Sequence, residues 1–167
     1  MSRIDVVLRS ARRRLCRLPA AEVPDAVRGG AVLVDIRPHA QRSSEGEVPG
    51  ALVVERNVLE WRCDPTSDAR LPQAVGDDVK WVILCSEGYT SSLAAAALLD
   101  IGLHRATDVV GGYRALADAG VLTELAELVA RSAQSLAWSN GRSRAVFSGV
   151  QPGGDNTAAQ PSATSAT

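Results

Sequence analysis

Three short apolar runs, each closed by turn residues and two of them followed by a stretch of helical spacing, constrain this chain more than any other feature; after the first, residues 39–50 read as loop or short helix. Ala31-Val32-Leu33-Val34-Asp35-Ile36, Trp81-Val82-Ile83-Leu84 and Thr107-Asp108-Val109-Val110 each read as a buried strand. Residues 51–54 predict a fourth, shorter one. Between them, Ser91–Ile101 has helical periodicity, with Leu93, Ala94, Ala97, Leu98 and Ile101 on one face and Gly102 as its stop. Further helices are predicted at 21–28, which Gly29-Gly30 ends, as one or two turns at 57–62, around 113–119 and at 121–130. Strands alternating with helices at this rhythm indicate an α/β fold with a mainly parallel sheet flanked by helices.

The ends of the chain differ in character. Ile4–Leu18 predicts a basic amphipathic helix, with Ile4, Val7, Leu8 and Leu15 on one side, five arginines crowding the rest, and Pro19 as terminator. From Ser132 the chain is rich in Ser, Ala, Gly and Thr and has few large apolar residues. Such a segment buries too little surface to offset its ordering entropy. The expected organisation is a helix at 1–18, a domain at 19–131 and a disordered tail at 132–167.

A net charge of −1 and an aromatic content of 4% argue against nucleic acid as a partner, since they provide neither a basic field nor stacking platforms. No apolar segment reaches membrane-spanning length and Met1–Leu8 lacks a signal-peptide core, so no membrane insertion and a cytoplasmic location are expected. Lys80 is the only lysine among many arginines and alanines, the usage of a GC-rich bacterial genome. Cys16, Cys63 and Cys85 lack paired spacing, and His39 and His104 have no companion ligands nearby. Neither a disulfide framework nor a metal site is predicted, and no cofactor.

Cys85 is the strongest pointer to chemistry. It ends a strand and is followed by Ser86-Glu87-Gly88-Tyr89-Thr90-Ser91, a short loop that opens the next helix. The strand fixes the thiol, the glycine lets loop amides curl inward, and the helix N-terminus adds partial positive charge that favours an anionic sulfur. A phosphatase or arsenate reductase of the C-x5-R kind needs an arginine six residues after the cysteine to grip an oxyanion. Ser91 occupies that position, which removes this reading.

The landmarks around Cys85 resemble the rhodanese-like domain family. Val34-Asp35-Ile36-Arg37 is similar to that family's strand ending in D-x-R, and Gly46-Glu47-Val48-Pro49-Gly50-Ala51 to its G-H-I-P-G-A turn. Ile83-Leu84-Cys85 with Gly88 and Ser91 resembles its C-x-x-G-x-x-S active loop, and Val109-Val110-Gly111-Gly112 its late strand and double-glycine turn. The resemblance implies a single-domain sulfurtransferase. Cys85 would take a sulfane sulfur from a small donor, thiosulfate or a persulfide, and pass it as a persulfide to a thiol or cyanide acceptor. The alternative is a non-catalytic sulfur-binding or regulatory module of the same fold. Oligomeric state is not legible.

Departures from the pattern bear on the donor. Thr90 stands where the family often has arginine, and Glu87 places a carboxylate beside the loop, which disfavours a dianionic donor. Arg56 and Arg62, in the segment after the second strand, are candidates for the missing positive charge. Arg37 is expected to brace Asp35 structurally. Glu87 is expected to face solvent, and Tyr89 to pack or to border the pocket.

Overall fold

The apolar runs assemble into a four-stranded, wholly parallel sheet of order β2-β1-β3-β4 in the computed structural model, which describes residues 1–146. The strands are β1 (Val32–Asp35), β2 (Leu52–Val53), β3 (Trp81–Leu84) and β4 (Thr107–Asp108). The helices are α1 (Arg3–Arg13), α2 (Val23–Arg28), α3 (His39–Glu45), α4 (Leu59–Cys63), α5 (Thr90–Asp100), α6 (Gly112–Asp118) and α7 (Leu122–Val146). Residues Met1–Ser132 form one compact unit, and the site described below lies within it.

Alternation along the strands divides the core between the two faces of the sheet. Val34, Trp81 and Ile83 pack with Leu59, Cys63, Ala94, Ala95 and Leu98 on one side. Leu33, Val82 and Leu84 pack with Val23, Leu116 and Leu125 on the other. Helices cover both faces, so β3 is buried along its whole length and reads as a continuous apolar run. Each fully buried Leu or Val contributes about 1.5–3 kcal/mol relative to exposure. Register pairs Val34 with Leu52 and Ile83 and Ile83 with Asp108. Asp108 therefore ends β4 level with Ile83, two residues before Cys85.

The N-terminal segment departs from the helix predicted for 4–18. A capping box between Ser2 and Asp5 starts α1, but the helix ends at Arg13. The chain then extends, and Leu18 N–H donates to Asp108 O at 2.9 Å while Val110 N–H donates to Leu18 O at 2.9 Å. Leu15 and Leu18 are buried, but as part of this extended run beside β4. The buried face of α1 is Leu8 and Ala11, packed toward α5; Ile4 and Val7, expected on it, are more than half exposed. Burial on α5 likewise spreads over Ser91, Ser92, Ala94, Ala95, Ala96 and Leu98 because the helix is sandwiched between sheet and α1; Ile101, expected on its face, is exposed.

The last helix runs to Val146, where the apolar periodicity ends it at Ala130. Residues 131–146 hold no proline to break the helix. The rest of the expected tail, 147–167, lies outside the described residues. No helix among those described is long and apolar enough to cross a membrane.

Candidate active site

β3 delivers Cys85 to the C-terminal edge of the sheet, where its residue is 9% exposed. The loop then curls so that the Gly88 N–H donates to the sulfur at 3.3 Å and the Ser91 N–H, in the first turn of α5, at 3.4 Å. The thiol itself points at Ser91 Oγ, 3.4 Å away. The amides that were expected to surround an anion thus converge on the sulfur, and a sulfur anion there gains two backbone donors and the positive end of α5.

The double-glycine turn holds the loop from below. A Cβ on Gly112, whose φ is +60°, would sit 2.2 Å from Cys85 O, and one on Gly88, φ +78°, would sit 2.8 Å from Gly111 N. Only glycine on both sides permits this approach. The start of α6 then donates into the loop, Tyr113 N–H to Cys85 O at 2.8 Å and Arg114 N–H to Ser86 O at 3.1 Å.

The sulfur opens onto a pocket of about 270 Å³ lined by Gln41, Glu45, Ser86, Glu87, Tyr89, Thr90 and Arg114. Glu87 faces solvent, with 45% of its side chain exposed, and there pairs with Arg114; Tyr89 borders the pocket with its ring 5.3 Å from the Arg12 guanidinium. Ser86 Oγ donates to Glu45 Oε2 at 2.9 Å, and Arg37 Nη1 donates to the same carboxylate oxygen at 3.0 Å. Burial alone would raise the Glu45 carboxyl, but the hydrogen bonds from Arg37 and Ser86 and the charges of Arg37 and Arg114 outweigh it and hold it below the ordinary value.

Asp35 and Arg37 stand behind the pocket as a brace. Arg37 donates to Asp35 Oδ2 at 2.7 and 3.1 Å and to Gly46 O at 2.8 Å. The structure does not bring Arg56 and Arg62 to the thiol. Arg56 is spent on Glu60 at 2.8 Å and Arg62 on Ala69 O at 2.6 Å. The cation lining the pocket is Arg114.

The sequence reading missed a second group beneath the loop. Asp108, with no exposed surface, accepts from Arg17 at 2.7 and 3.0 Å, from Ser92 Oγ at 2.7 Å and from Ser91 Oγ at 3.1 Å. Arg12 and Arg17 also donate to Gly88 O, at 2.8 and 3.2 Å. The available signal was a carboxylate directly before the apolar pair Val109-Val110 in a run read as a buried strand, which demands buried partners.

The other thiols differ in kind. Cys16 is exposed and Cys63 buried; burial, and after it the charge of Glu60, pushes the Cys63 thiol up to about 12. Iodoacetamide on the native protein is therefore expected to modify Cys16 and to spare Cys63 until denaturant is added, as peptide-resolved mass spectrometry would show. Among the described residues no cluster of His, Cys, Asp and Glu fits a metal ion.

Comparison with known proteins agrees with this architecture. The model of the rhodanese-like domain family matches residues 19–119. The adenylyltransferase and sulfurtransferase UBA4 of Lodderomyces elongisporus is 31% identical over 81 residues, 48% of this chain, which spans only 18% of that protein. A Rhodopseudomonas palustris protein of unknown function, RPA3614, described as a possible tyrosine phosphatase, is 32% identical with a TM-score of 0.64, over 72% of this chain and 92% of that one. The human single-domain sulfurtransferase TSTD1 shares the fold at 24% identity and a TM-score of 0.50, over 61% of this chain and 95% of its own. With Cys85 in its amide cradle and the double-glycine turn beneath it, the chain belongs to the rhodanese-like domain family.

Proposed function

We propose that the protein is a sulfurtransferase that carries sulfane sulfur on Cys85. The observation that carries this reading is the convergence of the Gly88 and Ser91 N–H groups on one sulfur at the floor of an open pocket. The Cys85 thiolate attacks the outer sulfur of the donor. A new S–S bond forms, the donor's S–S bond breaks, and its electron pair leaves on sulfite or on the donor thiolate. An acceptor thiolate or cyanide then attacks the outer sulfur and releases Cys85 as a thiolate. The loop donors serve an anionic sulfur in each state.

Charge around the pocket favours a persulfide of low charge over thiosulfate as donor. Glu45 and Glu87 line the pocket against one cation, Arg114, and a dianion meets that balance unfavourably. The same Arg114 is committed to Glu87, and Ser91 stands six residues after the cysteine, so phosphate-ester chemistry is not favoured. Three free cysteines suit a reducing compartment such as the cytoplasm.

The deciding experiment is intact and peptide-level mass spectrometry after exposure to cysteine persulfide or thiosulfate. A gain of one sulfur on Cys85, removed by cyanide or a thiol, is expected, and more fully with the persulfide. No gain from either donor would move the protein to the non-catalytic class.

A further inference from the structure

The Arg17–Asp108 ion pair lies beneath the active loop and reaches the thiol through one hydroxyl. Arg17 precedes the segment matched by the family model, yet it donates twice to a carboxylate with no exposed surface. Asp108 in turn accepts from Ser91 Oγ, and Ser91 Oγ is the group that the Cys85 thiol faces at 3.4 Å. We propose that Asp108 and Arg17 are opposed positioning residues of Cys85, setting through Ser91 how readily a hydroxyl donor is available to the sulfur anion. The inference rests on the reading of Cys85 as the working nucleophile.

The Ser91 hydroxyl has one hydrogen and two claimants. While Cys85 is a thiol, its S–H donates to Ser91 Oγ and the Ser91 O–H donates to Asp108. Once the thiol proton has gone to solvent through the open pocket, the sulfur only accepts, and the Ser91 O–H must leave Asp108 to serve it. Asp108 resists that turn because a carboxylate is the better acceptor. Arg17 weakens the resistance by occupying both carboxylate oxygens, and Ser92 Oγ at 2.7 Å keeps Asp108 satisfied when Ser91 departs. Asp108 therefore restrains the thiolate, and Arg17 releases it.

Other charges face the loop as well. Glu87 lies on it, Glu45 comes from α3 with Arg37 behind it, and Arg114 comes from α6. Arg12 reaches Gly88 O from α1. None of these forms an ion pair with Arg17 or Asp108 among the described residues; Arg12 also donates to Ser92 Oγ at 3.2 Å and shares Gly88 O with Arg17, and all of these groups are unchanged in the variants compared.

The test is the pH profile of iodoacetamide alkylation at Cys85, resolved by peptide mass spectrometry, which needs no sulfur donor. Arg17→Gln is expected to shift the profile to higher pH and slow alkylation near neutrality by about threefold or more, while Asp108→Asn shifts it to lower pH and speeds alkylation by a similar factor. Arg17→Lys, which keeps the charge, should stay near the parent. A pair that merely scaffolds the loop would move both neutral variants in the same direction, and that result, or no shift in folded Arg17→Gln, overturns the proposal. Should Asp108→Asn fail to fold, the contrast between Arg17→Gln and Arg17→Lys decides. Opposed shifts without any persulfide in the loading experiment would uphold this inference and reject the sulfurtransferase reading.

Discussion

Replacing Cys85 by serine is expected to reduce sulfur transfer by about three orders of magnitude or more, with either cysteine persulfide or thiosulfate as donor. A serine hydroxyl is far weaker as a nucleophile at neutral pH and forms no persulfide. Loss of transfer must come from chemistry and not from collapse of the site. The loop N–H groups of Gly88 and Ser91 find an oxygen acceptor where the sulfur was, and the change in volume is small. The melting temperature should therefore stay within about 3 °C of the parent, corresponding to a stability change near 1 kcal/mol. The measurements are thiocyanate formation from thiosulfate and cyanide, sulfur transfer from cysteine persulfide to a thiol, and a thermal melt. Residual transfer near the parent rate would exclude a Cys85 persulfide as the carrier.

The parts of the molecule that sequence made legible are those in which cause and effect lie close together. β3 and its cysteine could be read because four apolar residues, a glycine loop and an alanine-rich helix follow one another directly. Leu15 and Leu18 were misplaced on a helix because a spacing of three fits helical periodicity, and pairing with Val109 across the fold leaves no local trace. Arg56 and Arg62 lie near in sequence to acceptors of their own, Glu60 and the Ala69 carbonyl. These contacts hold the guanidinium groups away from the thiol. Asp108, Arg17, Glu45 and Arg114 come to the loop from four separate elements, so only tertiary structure could assemble them. Conversely, the brace of Arg37 on Asp35 was legible because the two residues are two apart on one strand end.

That brace carries a large stability consequence. The Arg37 side chain is fully buried, and Asp35 is 1% exposed. The guanidinium lies 4.1 Å from the Tyr113 ring centroid and joins the end of β1 to Glu45 and the Gly46 carbonyl. Arg37→Met keeps much of the volume but leaves the Asp35 carboxylate with the backbone N–H of residue 37 at 2.9 Å and no counter-charge. Breaking one side of a buried ion pair costs about 3–5 kcal/mol, a large part of a total near 5–15 kcal/mol. A fall in melting temperature of about 10 °C or more is expected. Part of the loss runs through Glu45. Its carboxyl is held below 4.5, the ordinary value, so its ionised form stabilises the fold above that pH, and the contribution fades as pH falls through the lowered value. The side chain is 21% exposed, which makes this share small beside that of Asp35. Melts from neutral pH into acid should show the parent's advantage over Arg37→Met shrinking as pH falls, with the Glu45 share fading below about pH 4.5. An equal melting temperature at neutral pH would mean that the pair does not hold the end of β1. Because Glu45 also accepts from Ser86, next to Cys85, Arg37→Met should slow Cys85 chemistry even at temperatures where the variant remains folded.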